Sequence, residues 1–407
     1  MNVCFLTHTF PKNPNESTAA FLHALVVGME ESGIHTTVLT PYHKNLTGKD
    51  FPYKIVVYRY VWPTFLHTLG YATTLKGGTY LPFKAFLIVP FLFVFGAIQL
   101  YLLLRREKID IICSHWIFPS GVMAALVSKV SGIPFTITLP GSDVYVAGMN
   151  KVFKRLAQFA ANSAGAIIAD SPVFVDKIKR IGAKPRYTEI IPYPVNVDTY
   201  KPSAIGVRSL KKKLGFNQRT MIILAVGRLV EKKGFYYLLT AMKDIVRANP
   251  QIRLVLVGDG DLRGQLEKYC EKIKIKKYVL FVGNISRSSI VSYYNMADMF
   301  VMPSIADTQG NIDDQPVALL EAMSCGQPVV ATNFPGIALS VENGINGFLV
   351  PQKDVNAITG AAMKLSSSKE LRITMGEASR KIALSKFSSQ KIATRYTRIF
   401  QRILHER

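Results

Sequence analysis

Short apolar runs alternate with longer stretches of helical character along this chain, and the rhythm starts twice. The first series is Val3 to Thr7, Thr36 to Thr40, Ile109 to Cys113, Phe135 to Leu139, Ala166 to Ala169 and Glu189 to Ile191. The second is Met221 to Val226, Arg253 to Val257, Val279 to Val282, Met299 to Met302, Pro328 to Ala331 and Gly347 to Val350. Strands that read as unbroken apolar runs are buried on both faces, which requires a parallel sheet covered by helices. Two α/β domains in series are the consequence. Pro192, Pro194 and Pro202 lie between the two series, and a residue without an N–H and with φ fixed disfavours both helix and central strand. Residues 192–215 therefore read as the linker, dividing a domain over 1–195 from one over 196–385, with a last helix from about 376 to 405.

At 407 residues and 49% apolar content the chain buries large cores and is too long for one ordinary domain. Fifty Lys and Arg against 27 Asp and Glu give a formal charge of +23, which favours phosphate-bearing partners: nucleotides, lipid headgroups or nucleic acid. Cys4, Cys113, Cys270 and Cys325 stand far apart, so neither a zinc site nor a disulfide framework is expected, and a reducing cytoplasm fits. The first residues, Met-Asn-Val-Cys-Phe-Leu-Thr, read as a strand rather than an export signal.

Leu81 to Leu104 departs from the soluble pattern, with only Lys84 and Gln99 strongly polar and Arg105, Arg106 and Lys108 directly after it. It is long enough to span a bilayer. Pro90 interrupts it, however, and a single crossing would place the two parts of the sheet on opposite sides. A helix lying in the membrane interface is the favoured reading, over a buried core helix or a span. Phe86, Phe91, Phe93 and Phe95 would meet the acyl boundary, and Arg105 and Arg106 the anionic headgroups. A peripheral position on the inner face of the cell membrane follows.

Two constellations carry chemistry. Gly227-Arg228-Leu229-Val230-Glu231-Lys232-Lys233-Gly234 follows the first strand of the second domain. Its glycines let backbone approach a diphosphate whose charge Arg228 and Lys233 would neutralise, most strongly as it leaves. Further on, Glu321 interrupts an apolar helical run, and a carboxylate desolvated there needs a reason such as a hydroxyl-rich ligand. Asp313 precedes it in a loop.

In order and spacing the chain resembles glycosyltransferase family 4, retaining enzymes of GT-B fold, over essentially its full length. Gly227-Arg228-Leu229 through Lys233-Gly234 matches G-R-L-x-x-x-K-G, and Glu321-Ala322-Met323-Ser324-Cys325-Gly326-Gln327-Pro328-Val329 matches E-A-M-A-C-G-x-P-V. Val257 to Gly260, Phe281 to Asn284, Ala297-Asp298 and Glu342 to Val350 follow in family order. The resemblance implies two Rossmann-like domains with parallel sheets facing each other across a cleft and a C-terminal helix, 386–407, returning towards the N-terminal domain. It implies a nucleotide-diphosphate sugar as donor substrate, no cofactor, an acceptor on the N-terminal domain, and transfer with retention. Arg228, Lys233, Asp313 and Glu321 would be catalytic, Glu321 holding the ribose and Asp313 the donor sugar. Gly227, Gly258, Asp259, Gly260, Asn284, Ile285, Asp314, Gln315, Pro316 and Val317 would border the donor. Asp313 stands where the family has Glu, and Asp314 is placed to share its role.

On the acceptor side the resemblance implies His115, Trp116, Gly141, Ser142 and Asp143. Thr138-Leu139-Pro140-Gly141-Ser142-Asp143-Val144 departs from the family's T-L-H-G-S-D-V, because Pro140 replaces a histidine with a side chain that neither donates nor accepts. Asp143 reads equally as a substrate contact or a helix cap, and His115 as an acceptor contact or a satisfied core histidine. No metal site is expected, since no D-x-D falls in a suitable loop. A lipid-linked or saccharide acceptor of surface polysaccharide or glycolipid synthesis fits the interfacial segment and the charge. Rival readings are a noncatalytic relative that binds sugar nucleotide or a partner protein, an epimerase of the same architecture, and a nucleic-acid binder. The last lacks a recognisable helix-turn-helix, zinc or aromatic ribonucleoprotein motif.

Overall fold

In the computed structural model, which describes residues 1–16, 18–46, 48–71 and 87–406, the chain divides into two units, Met1–Pro194 with Ser389–Arg407 and Val195–Ser388. The first unit runs β1 (Asn2–Leu6), α1 (Ala20–Glu31), β2 (His35–Pro41), β3 (Lys54–Tyr58), α2 (Val89–Arg106), β4 (Ile111–His115), α3 (Val122–Ser131), β5 (Phe135–Leu139), α4 (Ser142–Ala147), α5 (Lys151–Ser163), β6 (Ala166–Ala169), α6 (Pro172–Arg180) and β7 (Thr188–Ile190). Its seven strands are all parallel, in the order β3-β2-β1-β4-β5-β6-β7. The direction of winding reverses between β1 and β4, where Val3 lies beside both Thr36 and Ile111. Strand β3 is absent from the series read from sequence: it forms an edge, paired only with β2 and half-buried, so its apolar signal is short and bounded by Lys54 and Arg59.

The second unit runs α7 (Val207–Lys213), β8 (Met221–Val226), α8 (Phe235–Ala248), β9 (Ile252–Val257), α9 (Arg263–Lys272), β10 (Val279–Gly283), α10 (Arg287–Met296), β11 (Met299–Met302), α11 (Val317–Ser324), β12 (Val329–Thr332), α12 (Pro335–Ala338), β13 (Gly347–Val350), α13 (Val355–Ser367) and α14 (Lys369–Ile382). Its six parallel strands are ordered β10-β9-β8-β11-β12-β13. Ile223, Ala225, Leu254, Leu256 and Val301 meet Leu238, Leu239, Met242 and Ile245 in a core from which water is excluded. Each large aliphatic side chain buried there stabilises the unit by about 1.5–3 kcal/mol relative to exposure.

Two sequence expectations are corrected. The linker over 192–215 contains helix α7, because its prolines all precede that helix and Gly206, at φ 76°, stands at its cap and not inside it. The single helix over 376–405 is two. Helix α14 runs into a wide turn at Ala383–Phe387, where the Phe387 carbonyl accepts from Val195 N–H at 2.8 Å, and α15 (Ser389–His405) begins anew. Helix α15 packs on α1 in the first unit, burying Ile392, Ala393, Tyr396, Phe400 and Ile403. The approach is close enough that a Cβ on Gly28 would stand 2.5 Å from the Ser389 carbonyl oxygen.

Helix α2 is the described part of the long apolar segment. Pro90 sits in its first turn, where a missing N–H is harmless, so the helix starts there instead of breaking. Leu92, Gly96, Leu100, Leu103 and Leu104 are buried, whereas Phe91, Val94, Phe95 and Ile98 are exposed. It is thus no wholly buried core helix; it has one covered side and one apolar side open to its surroundings.

Candidate active site

In the second unit the winding reverses between β8 and β11, and ligands of parallel sheets bind outside the carboxyl ends of the strands at such a point. The chain leaves β8 at Gly227, whose φ of 156° and missing side chain let Lys233 lie across it; a Cβ there would be 2.9 Å from Lys233 Cε. Gly258, at φ 128°, follows β9 with its would-be Cβ only 2.1 Å from the Gly227 carbonyl oxygen. Gly260 is packed in the same way on the backbone of Leu229, whose N–H donates to the Asp259 carbonyl at 2.9 Å. The two strand exits are therefore laid backbone to backbone. Gly234, at φ 65°, opens α8 and faces the carbonyl oxygen of Pro303 just beyond β11, while Ile305 N–H donates to Lys232 O at 2.9 Å. The glycines at 227, 234, 258 and 260 thus fix the cationic turn over the switch point.

Lys233 Nζ pairs with Asp313 Oδ2 at 2.5 Å, with side chains only 12% and 21% exposed. Burial alone would raise the Asp313 pKa, but Lys233, Lys232 and Arg228 together hold it below the ordinary value. Lys232 is pushed down, first by burial. Arg228 is exposed and has no ion-pair partner among the described residues. Three cations around one carboxylate leave a net positive patch, the charge a diphosphate requires. The neighbouring loop is rigidified from the same turn: Glu231 accepts from Thr308 N–H at 3.2 Å and Thr308 Oγ1 at 3.1 Å, and Asp307 accepts from Asn311 N–H at 2.8 Å.

Asp314 is placed otherwise than its sequence neighbour suggests. Only 2% exposed, it accepts from Gly336 N–H at 2.9 Å and so anchors the start of α12. Asp259 is likewise engaged, accepting from Gly260 N–H at 2.8 Å and from Arg263 at 3.2 Å. Gln315 is buried beside Pro316, the cap of α11, and Val317 begins that helix. Asn284 and Ile285 follow β10, whose Gly283 carbonyl accepts from Gly258 N–H at 2.9 Å, so that these two candidate stretches adjoin.

Glu321 lies on α11, 8% exposed, with Tyr294 OH donating to Oε2 at 2.7 Å. Arg287 Nε donates to Tyr200 OH at 3.1 Å, and the Tyr200 and Tyr294 rings meet edge to face. Burial raises the Glu321 pKa against the opposing pull of Arg287, the two tyrosines and Lys233. Tyr200, Arg287 and Tyr294 are absent from the residues read from sequence. They come from the linker and α10, so no spacing joins them to Glu321; the available signal was that a buried carboxylate needs donors.

In the first unit the winding reverses between β1 and β4. His115 ends β4, 1% exposed and stacked on Phe5, with burial lowering its pKa to about 3, so it is neutral at physiological pH. Trp116 adopts φ 66°, donates its N–H to Thr138 O at 2.9 Å and meets His8 edge to face at 4.6 Å. Burial lowers the His8 pKa to about 4. Gly141, at φ 106°, abuts Phe174 and caps α4, which places Asp143 inside the first turn and not at the cap. The side chains of Ser142 and Asp143 lie outside the described residues, as does Phe86. Pro140 contributes backbone, its carbonyl accepting from Tyr193 OH at 3.1 Å. Of the segment assigned to the membrane, Phe91, Phe95, Arg105 and Arg106 are exposed and Phe93 is half-buried. Among the described residues no three His, Cys, Asp or Glu side chains converge as a metal-binding group.

Both units resemble known proteins. The family description "Glycosyl transferases group 1" matches residues 207–382 and "Glycosyl transferase 4-like domain" matches 18–194. The chain is 30% identical over 297 residues to the UDP-Gal:alpha-D-GlcNAc-diphosphoundecaprenol alpha-1,3-galactosyltransferase of Escherichia coli, covering 70% of this chain and 73% of that one. It is 25% identical to N-acetyl-alpha-D-glucosaminyl L-malate synthase of Bacillus anthracis, covering 74% and 77%. Among solved structures, Anabaena HepE in complex with UDP superposes with a TM-score of 0.74 at 18% identity, covering 99% of this chain and 100% of that one. Sucrose-phosphate synthase from Thermosynechococcus elongatus gives 0.74 at 20% identity and full coverage of both. The fold is thus the two-domain Rossmann-like GT-B architecture, and the chain belongs to the group 1 glycosyltransferases of family 4.

Proposed function

We propose that this glycosyltransferase moves a sugar from a nucleotide-diphosphate donor, with retention and without a metal ion, to a lipid-linked or saccharide acceptor in surface polysaccharide or glycolipid synthesis. The observation that carries the reading is the cation cluster at the β8–β11 switch point, with Asp313 and the buried Glu321 beside it. The bond from the anomeric carbon to the diphosphate breaks while the acceptor oxygen bonds to the same face of that carbon. The acceptor proton passes to the departing diphosphate oxygen, so Pro140 leaves the step feasible. Arg228, Lys232 and Lys233 stabilise the charge that grows on the leaving group, the role a divalent ion fills elsewhere. Glu321 holds donor hydroxyls, and Asp313 orients the sugar while fixing Lys233. A nucleotide sugar and a lipid-linked acceptor both stand in the Escherichia coli relative's name.

Helix α2 seats the protein on the inner face of the cell membrane through Phe91 and Phe95, with Arg105 and Arg106 at anionic headgroups. Four unpaired, buried cysteines accord with the cytoplasm.

Thermal shift against UDP-, GDP- and ADP-sugars tests the donor site, because ligand at 100 times its Kd adds about 2.7 kcal/mol of stability. One donor class should stabilise the protein, and Arg228→Ala and Glu321→Ala should each abolish the shift. A stabilising donor without transfer to any lipid-linked acceptor would favour the noncatalytic binder that Pro140 suggests. EDTA should leave transfer intact; its loss would overturn the metal-free step. Replacing Phe91, Phe93 and Phe95 by Ser should abolish sedimentation with anionic liposomes and spare the donor shift.

A further inference from the structure

Trp62 and Phe65 follow β3 and are 85% and 77% exposed, although each is a large aromatic whose burial would be favourable. They sit at one particular edge of the sheet. Glu107, just after α2, bonds Lys54 at the start of β3 at 2.5 Å and accepts from Thr37, near the start of β2, at 3.3 Å. At the other end, a Cβ on Gly96 would stand 3.1 Å from the hydroxyl of Tyr58, the last residue of β3. Helix α2 therefore runs antiparallel to the strands, and its turns before Gly96, rising about 1.5 Å per residue, project past the carboxyl edge of the sheet. Trp62 and Phe65 leave from that same edge.

We infer that the loop carrying Trp62 and Phe65 is a second membrane-inserting element, which with the exposed Leu87, Phe91, Val94 and Phe95 of the α2 region seats the carboxyl edge of the first sheet on an anionic bilayer. The inference rests on the membrane reading of α2. Charge supports it: between Asp50 and Glu107 the sequence holds no acidic residue, and Arg59 and Lys44, exposed just after β3 and β2 at that edge, are basic. An indole at the headgroup boundary keeps its N–H wet and its ring in the acyl region. Leu87 and Val94 offer nothing for a sugar ring to stack on, which favours lipid over a free glycan. The consequence is functional. Ligands of a parallel sheet enter at its carboxyl edge, so a lipid-anchored acceptor reaches its site by lateral diffusion without leaving the bilayer.

The chain has two tryptophans, and Trp116 is packed against His8, so Trp62 is the reporter. Full-length protein is mixed with phosphatidylcholine–phosphatidylglycerol vesicles containing brominated acyl chains, and sedimentation and fluorescence are read together. The expected result is sedimentation with strong quenching, with the quenching lost in Trp62→Ser and vesicle affinity reduced about tenfold in Phe65→Ser. Sedimentation of the wild type without quenching overturns this inference and leaves α2 as the sole contact. Absence of sedimentation overturns the parent membrane reading along with it. Fluorescence that responds to a soluble oligosaccharide and not to vesicles would identify a glycan platform instead and likewise overturn it.

Discussion

The two switch points of this molecule share one topology and differ in chemistry. At the carboxyl edge of the second sheet, backbone is packed on backbone at Gly227, Gly258 and Gly260, and the remaining space is given to Arg228, Lys232, Lys233 and Asp313. At the corresponding edge of the first sheet the residues are His8, His115 and Trp116, neutral and aromatic, with a left-handed Trp116 where the second unit has glycines. Parallel strands ending at a reversal of winding supply a crevice and nothing more. What fills it decides whether the crevice attracts a diphosphate or a ring of hydroxyls.

The contrast breaks most severely if the charge is removed from the second unit. Lys233→Ala is expected to lower the transfer rate by about 10²–10³-fold, the usual effect of losing one preorganised electrostatic contact to a developing anion, measured as kcat with saturating donor. Gly234→Ala attacks the scaffold. Its Cβ would press on the Pro303 carbonyl at a positive φ, and strain plus overpacking should cost roughly 2–5 kcal/mol, seen as a lowered denaturant midpoint.

Glu321→Gln sharpens the comparison, because function and stability should move in opposite directions. Losing a charge-assisted hydrogen bond is expected to weaken donor binding by about tenfold or more, read by titration calorimetry. The raised Glu321 pKa means that the folded state holds this proton more tightly than the unfolded one. Its contribution to stability is full below the ordinary carboxylate range and is lost as pH rises through the raised value. The variant should therefore equal or exceed the wild type in stability at pH 8. Asp313, held below its ordinary value despite burial, has the reverse sign: its contribution is present above the ordinary carboxylate range and is lost as pH falls through the depressed value.

The smallest effect is expected at His115. Buried and neutral, it should change transfer by less than about tenfold in His115→Gln, whereas a general base contributes about 10²-fold or more. Its pKa is lowered from 6.5 to about 3 by burial, so the unfolded chain takes up a proton that the folded one refuses. Stability is then complete above pH 6.5 and declines as pH falls towards 3. His115→Gln should move the acid unfolding midpoint downward, and an unchanged midpoint would show that the ring is solvated.

Much of this was legible in the sequence, for a local reason. An apolar run buried on both faces advertises a parallel strand wherever it occurs, so the doubled βα rhythm and the two sheets followed from patterning; only the half-buried edge strand β3 escaped it. The glycines of the cationic turn were also visible, since a strand exit pressed against another backbone tolerates no Cβ. Tertiary structure alone decided the partners. It assigned Lys233 to Asp313, gave Asp314 to the backbone of Gly336, surrounded Glu321 with Tyr294, Tyr200 and Arg287, and turned one side of α2 outward. Periodicity tells which side of an element is buried, but the partner of a buried charge comes from a distant segment, and sequence spacing carries no record of which segments the sheet brings side by side.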